Sequence, residues 1–446
     1  MTFPANAPGS GGKRLTIART DCHFEREPLR APFGFKGHTL TELWQSVAGL
    51  RSGDGTIGVG TGTQSVLWSD AAVFTGYSEA AGNSLMYELT AYALRRCAGW
   101  TFERPEDLLD RLLPEVLAQG CKVTGQKNLR PTFALNALVP VDNAAWQLYA
   151  AAQADPSFEA LTEPYRRVLA HRHRQLGVIP LISYGVAATD AATLARAGHF
   201  ILKIKIGSDP TGDGSQERML EWDCRRVTEL HTALHDVSTP HTTTGRIAYY
   251  LDANGRYDSR DRLQRLLDHC AKIGALGQIV LLEEPFPEDY ECAVGDLPVR
   301  IAADESAHSV KDVIARIDAG YGAIALKPVA KTLSLSLRMA AAAASRGVPC
   351  FCADLTVNPT LVEWGKNVAA RLAPLPGLKL GVLETNGAQN YRDWPRLQSY
   401  HPAPNARWAE PEAGLFTLDD DFYARSGEIF SSSAHYLGLV PAVANL

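Results

Sequence analysis

From residue 178 onward the chain repeats one pattern eight times: a short apolar run followed by a stretch with helical spacing. The runs are "VIPLISYG" (178–185), "FILKIKIG" (200–207), "IAYYLDAN" (247–254) and "IVLLEEP" (279–285). They continue with "VRIAADES" (299–306), "AIALKPV" (323–329), "PCFCADLT" (349–356) and "LGVLETN" (380–386). Amphipathic segments such as "SRDRLQRLLDHCAKIG" and "SVKDVIARIDAG" lie between them, opened by capping serines and closed by glycine. Apolar strands alternating with helices predict a parallel sheet covered by helices. Eight such units over roughly 210 residues predict a closed β/α barrel of TIM type, not an open sheet.

The charged residues of these runs, Arg300 apart, fall at one end. In order they are Lys203 and Lys205, Asp252 and Asn254, Glu283 and Glu284, Asp304 and Glu305, Lys327, Asp354, then Glu384 and Asn386. In a barrel those ends converge at the mouth, where barrel enzymes keep their chemistry. Lys203 and Lys205, two positions apart, share a face. On an edge strand they would point at water, but a barrel has no edges. Asp252, Glu283 and Asp304, on successive strands, repel one another unless each pairs with a lysine or all share a hard cation. With Mg2+ they make an all-oxygen site that keeps positions open for a substrate carboxylate. Lys205 and Lys327 then face each other across the mouth, as two-sided proton transfer requires. A free lysine, with a pKa of about 10.4, is a poor base. Metal, burial and the neighbouring Lys203 are expected to bring Lys205 towards about 7–8.

The first 165 residues read as an α+β region: "LTELWQSVAGLRSGDGTIGVGTGTQSVLWSD" as a helix and then β structure with Gly-rich turns, followed by helices near 84–98, 105–119 and 142–171. The expected division is a capping domain (1–170), a barrel (171–392) and a C-terminal segment (393–446) packed back on the cap. The glycine-punctuated loop "PLRAPFGFKG" (28–37), with Phe33 and Phe35, and Trp68 in "VLWSD" suit a lid over a substrate. Ordinary packing between domains is the alternative. The long connection 208–246 reads as a lid or specificity insert, or as padding.

Composition narrows the partners. The net charge of -5 gives no reason to expect nucleic acid or an anionic membrane. Eight scattered cysteines are expected to be reduced and largely buried. "MTFPANAPGSGGKR" has no apolar leader and no run spans a bilayer, so a cytoplasmic protein acting on a small carboxylate is expected. A homo-oligomer is the expected assembly.

Five pieces, "LKIKIG", "LDANGRY", "LLEEPFP", "AADES" and "IALKP", together resemble the enolase superfamily. The likeness is to the muconate-lactonising-enzyme and dipeptide-epimerase branch of the mandelate racemase family. The resemblance implies a capping α+β domain, completed by the C-terminal tail, over a modified barrel. It implies one Mg2+ per subunit, with Mn2+ as an alternative, and abstraction of a proton α to a carboxylate through a metal-stabilised enediolate. It implies Asp252, Glu283 and Asp304 as ligands, Glu283 being preferred to Glu284 because the ligand precedes the proline by two. Glu284 and Glu305 would support the ligands. Lys205 and Lys327 become the acid/base pair, with Lys203 tuning Lys205. Asn254, Asp354, Glu384, Asn386, Phe33, Phe35 and Trp68 are the candidate substrate contacts.

The chain also departs from the pattern. The eighth run ends Glu384-Thr385-Asn386 where the epimerases carry Asp-x-Asp for a substrate ammonium. The glycine pair after the sixth-strand lysine is replaced by "KPVAKTLSLS", which adds Lys331. Racemisation or epimerisation of an amino-acid or dipeptide derivative is the first reading. A lyase on the same scaffold (a dehydratase, a cycloisomerase or an o-succinylbenzoate-synthase-like enzyme) is the second. A non-catalytic binding relative is the third.

Overall fold

The computed structural model describes residues 14–35 and 38–444, without the side chains of residues 33–35. All eight apolar runs form parallel strands. They are Gln175–Ile179 continued by Leu181–Ile182, then Ile201–Lys205, Ala248–Asp252, Ile279–Glu283, Ile301–Ala303, Ala323–Leu326, Cys350–Cys352 and Gly381–Glu384. Pro180, which has no N–H to give a ladder, splits the first strand. Its first half pairs with the eighth strand (Val178 opposite Leu383) and its second half with the second strand (Leu181 opposite Lys203). The sheet thus returns on itself. Leu415–Thr417, from the C-terminal segment, pairs antiparallel along the edge the split leaves.

The strand period sets the interior. Ile201, Ala248, Tyr250, Leu281, Ala302, Ala323, Ala325, Phe351 and Val382 form one buried cluster inside the ring. Their alternates, including Leu202, Ile204, Leu251, Leu282, Ile324 and Leu383, pack with the helices outside. Small alanines face the large rings of Tyr250 and Phe351, which meet edge-on at 5.4 Å. Followed towards the C-terminal end, the inward positions change from apolar to charged: Ile201 to Lys203 and Lys205, Tyr250 to Asp252, Leu281 to Glu283. The apolar layers hold the barrel together, and the charged layer floors its mouth.

The insertion 208–246 has two differently placed parts. Helix Gln216–Leu234 is tethered by Asp223, whose carboxylate accepts from Gly207 N (2.8 and 2.9 Å) and Tyr257 Oη (2.6 Å). The return segment crosses to the opposite end of the barrel. There Thr242 bridges Leu378, and Lys379 N donates to His241 O (2.9 Å). Residues 241–243 therefore pair just ahead of the eighth strand and stand far from the mouth.

Leu15–Phe35, His38–Ser52 and Ile57–Gln64 form an antiparallel sheet, joined by Thr101–Phe102. Residues 28–35, expected as loop, are strand, and so is the stretch from Leu40 to Ser52, expected to open as a helix: its residues pair across to both neighbouring strands. Pairing slips between Pro28 and Phe33, where Leu29 bridges Tyr391 instead. The lid role given to Phe33 and Phe35 falls on side chains outside the described residues. The expected helices at 84–98 and 105–119 are Glu79–Cys97 and Pro105–Thr124. The one placed at 142–171 is instead Pro131–Ala151: Pro131 opens it, and Pro156 and the Ser157 cap start a separate short turn, Phe158–Leu161. In the C-terminal segment, Tyr436, Val440 and Val443 pack on Val47 and Val59 of this sheet. The eight cysteines are all free, and no helix among the described residues is long and apolar enough to cross a membrane.

Candidate active site at the barrel mouth

Lys203 and Lys205 point inward from the second strand, both buried. Lys205 Nζ donates to Asp252 Oδ2 (2.5 Å) and to Asn254 Oδ1 (2.6 Å). Asn254 is held in the left-handed region (φ 45°), and its amide donates to Glu305 Oε1 (3.0 Å). Lys203 Nζ reaches three carboxylates: Asp252 Oδ2 (3.0 Å), Glu283 Oε2 (2.8 Å) and Glu384 Oε2 (3.0 Å). Burial works against its charge, but Asp252, Glu283 and Glu384 outweigh burial and hold its pKa well above the usual lysine value.

Glu283, Asp304 and Glu305 each place a carboxylate oxygen within 4.8 Å of the others. Burial, then the charge of Asp252, pushes Glu283 well above the ordinary carboxylate range, and Lys203 offsets this only in part. Its Oε2 is met by Lys203 and by the Tyr250 hydroxyl, while Oε1 is buried without a hydrogen-bond partner among the described residues. A buried, under-compensated carboxylate beside two others binds a proton or a cation. The all-oxygen donors suit a hard divalent ion such as Mg2+. The geometric group thus contains Glu305, expected only as a supporting residue. Asp252, expected as a ligand, has Oδ2 on Lys203 and Lys205 and Oδ1 on Asn254 N (3.0 Å). Glu284, at φ 40°, turns away and accepts from Asp304 N (2.7 Å), bracing the loop that carries the acids.

Lys327 ends the sixth strand and starts a single turn, Pro328–Lys331. Its Nζ lies 2.5 Å from Asp304 Oδ2, and that of Lys331 lies 3.2 Å from Oδ1 and 2.6 Å from the Asp304 carbonyl. Burial opposes the charge of Lys327, yet Asp304 and Glu283 keep its pKa raised. Burial alone would raise Asp304 also, but Lys327 and Lys331 hold it well below the carboxylate range. The Trp68 ring lies 4.4 Å from Lys327 Nζ and 5.8 Å from that of Lys331. Trp68 sits on the short helix Val66–Ser69, fixed by Asn136, which accepts from Ser65 N (2.9 Å) and donates to Thr63 O (2.9 Å).

On the far side Asp354 Oδ2 accepts from Asn386 N (2.8 Å). Burial, then Glu384, pushes Asp354 up to about 6. Lys203, Lys205, Asp252, Asn254, Asp304, Lys327, Asp354, Glu384, Asn386 and Trp68 all border one cavity. Glu283, Glu284 and Glu305 do not. Leu40, Leu43 and Ser65 of the cap and Leu181, Leu355 and Thr356 of the barrel also line it, and sequence reasoning missed them. It missed Tyr250 as well, although that residue stands two before Asp252 on one strand and so shares its inward face. Arg130 gave no signal; its guanidinium donates to the Glu305 carbonyl (3.1 Å) while its main-chain N donates to Asp70 just after Trp68 (3.0 Å).

The chain belongs to the enolase superfamily. Residues 186–418 match the family described as enolase C-terminal domain-like. A mandelate racemase/muconate lactonizing protein from Herpetosiphon aurantiacus shares the fold with a TM-score of 0.59 and 18% identity, over 91% of this chain and 96% of that one. A dipeptide epimerase from Cytophaga hutchinsonii, complexed with Mg and D-Ala-L-Val, gives 0.61 and 16% over 84% and 88%. An N-succinyl Arg/Lys racemase from Bacillus cereus gives 0.58 and 16% over 84% and 89%. No curated protein matches the chain.

Proposed function

We propose that this protein is a Mg2+-dependent racemase or epimerase that exchanges the proton α to a carboxylate, acting on an N-acylated amino acid or a dipeptide. The observation that carries the reading is the pair Lys205 and Lys327. They stand four strands apart in a ring of eight and border one cavity, with buried carboxylates between them. Dipeptide epimerases with bound Mg and dipeptide, and an N-succinyl amino-acid racemase, share the fold and support it.

Asp252, Glu283 and Asp304, with Glu305 alongside, would hold the ion. When bound, Mg2+ supplies the positive charge that takes up negative charge on the substrate carboxylate as the α-proton leaves. The residues do the rest. Asp252 and Asn254 aim the Lys205 amine into the cavity from one side. Lys327 faces it from the opposite wall, so whichever lysine takes the α-proton from one face, the other can return a proton on the opposite face. Trp68, Leu40 and Leu43 close the cavity from the cap and exclude water, and Asp354 and Asn386 face the substrate from the seventh and eighth strands.

The reading is tested by incubating the enzyme with Mg2+ and a panel of dipeptides and N-acyl amino acids in D2O. A product of unchanged covalent structure carrying one α-deuterium is expected. A product that has lost water would contradict the reading in favour of a lyase.

A further inference from the structure

Lys203 serves three acids at once. Its three carboxylate partners come from the third, fourth and eighth strands, at 3.0, 2.8 and 3.0 Å. Its ammonium donates a hydrogen bond to Glu384 and stands within ion-pair distance of the other two acids. Beneath it the Tyr250 ring centroid lies 4.7 Å away and closes the floor. Two of those acids, Asp252 and Glu283, belong to the ligand set proposed above. Mg2+ would need the same carboxylates, so an ammonium paired with them competes with it. The third acid is different. Glu384 lies outside the proposed ligand set, and its Oε2 also accepts from Asp354 N (3.2 Å), which keeps it facing Lys203 whether or not the other two acids are engaged.

We infer that Lys203 is an exchangeable internal counter-ion: its ammonium neutralises Asp252 and Glu283, and Mg2+ binding transfers it wholly onto Glu384. The inference rests on the metal reading of the same site. It gives the departure at the end of the eighth strand a purpose, since Glu384 is the acceptor that keeps the displaced ammonium paired. It also makes Mg2+ affinity an exchange between two cations and not a simple filling of free carboxylates.

The test titrates Mg2+ into the wild type, Lys203→Met and Glu384→Gln, by calorimetry and by melting temperature in Mg2+ and in EDTA. Lys203→Met removes the competitor. It should bind Mg2+ on the order of tenfold tighter, melt roughly 5–10 °C lower in EDTA and recover in Mg2+. Glu384→Gln, with the ammonium confined to the ligands, should bind Mg2+ on the order of tenfold more weakly. A crystal structure of the Mg2+-loaded wild type separates exchange from a general charge effect. Lys203 Nζ should stay on Glu384 and leave hydrogen-bond distance of Asp252 and Glu283. Wild type that binds Mg2+ while Lys203 keeps all three partners, or a Lys203→Met variant that binds no tighter, overturns the inference alone. Wild type with no Mg2+ response overturns the metal reading, and the inference with it.

Discussion

Glu283 and Asp142 are both buried carboxyls pushed above their ordinary range, yet their surroundings assign them different work. Glu283 has one oxygen without a partner among the described residues and two other acids beside it, which suits a cation. Asp142 is fully engaged: Ser334 N donates to Oδ2 (3.1 Å) and Ser334 Oγ to Oδ1 (2.5 Å), while Trp146 Nε1 donates to Ser334 Oγ (3.0 Å). No ion is wanted there. These bonds join the cap helix Pro131–Ala151 to Leu333–Ser345 on the outside of the barrel. Burial, only partly offset by the Ser334 bonds, pushes Asp142 up to about 7. A raised folded-state pKa means the native state binds this proton more tightly than the unfolded chain does. The contribution is therefore full below the unfolded value of about 3.9 and lost as pH rises through about 7. Asp142→Asn cannot titrate. Its stability relative to wild type should rise by on the order of 3 kcal/mol between about pH 4 and pH 8, read from urea midpoints. A difference that does not change with pH would show that Asp142 stays ionised in the native protein.

The strand Ile57–Gln64 carries glycine at 58, 60 and 62, all on one face. An added Cβ at Gly58 would meet Ala144 O at 2.1 Å, at Gly60 Pro140 O at 2.0 Å, and at Gly62 Pro140 Cδ at 2.6 Å. The helix Pro131–Ala151 thus lies directly on the strand backbone, and this approach sets where Ser65 and Trp68 emerge over the mouth. Gly60→Ala should cost about 3 kcal/mol in urea unfolding, because a main-chain oxygen cannot rotate aside; a loss below about 1 kcal/mol would mean the helix is free to shift. The same element shows where sequence reading stops. "TIGVGTGTQ" reads as β structure broken by Gly-rich turns and not as one continuous strand, because a strand face made of glycine has no apolar alternation to announce it. The barrel strands were legible for the opposite reason: all but the first join an apolar buried position to a charge two residues on, as in Ile201, Lys203 and Lys205, so period and chemistry agree. Leu40, Leu43 and Arg130 were not legible, since their place at the mouth depends on how the cap docks and on no local pattern. The return of 235–246 to the far end of the barrel was hidden in the same way.

At the scale of the whole molecule, the cap supplies apolar closure and the barrel supplies charge. Trp68 meets Lys327, and Arg130 joins the segment after Trp68 to the Glu305 carbonyl, so the cap touches the loop bearing the acids as well as the cavity roof. Any shift of the cap would be felt by Lys327 before Lys205, which sits on the opposite wall. The two lysines should therefore be separable in function. The measurement that tests this most directly is α-proton exchange in D2O, followed by NMR on each enantiomer of a turned-over substrate, for wild type, Lys205→Ala and Lys327→Ala. In Mg2+ the wild type should exchange both enantiomers, and in EDTA neither. Each variant should lose exchange of one enantiomer by at least about 10³-fold and keep some exchange of the other, with the lost enantiomer differing between the two. Both variants losing the same enantiomer, or wild-type exchange persisting in EDTA, would contradict a metal-assisted pair of facing lysines.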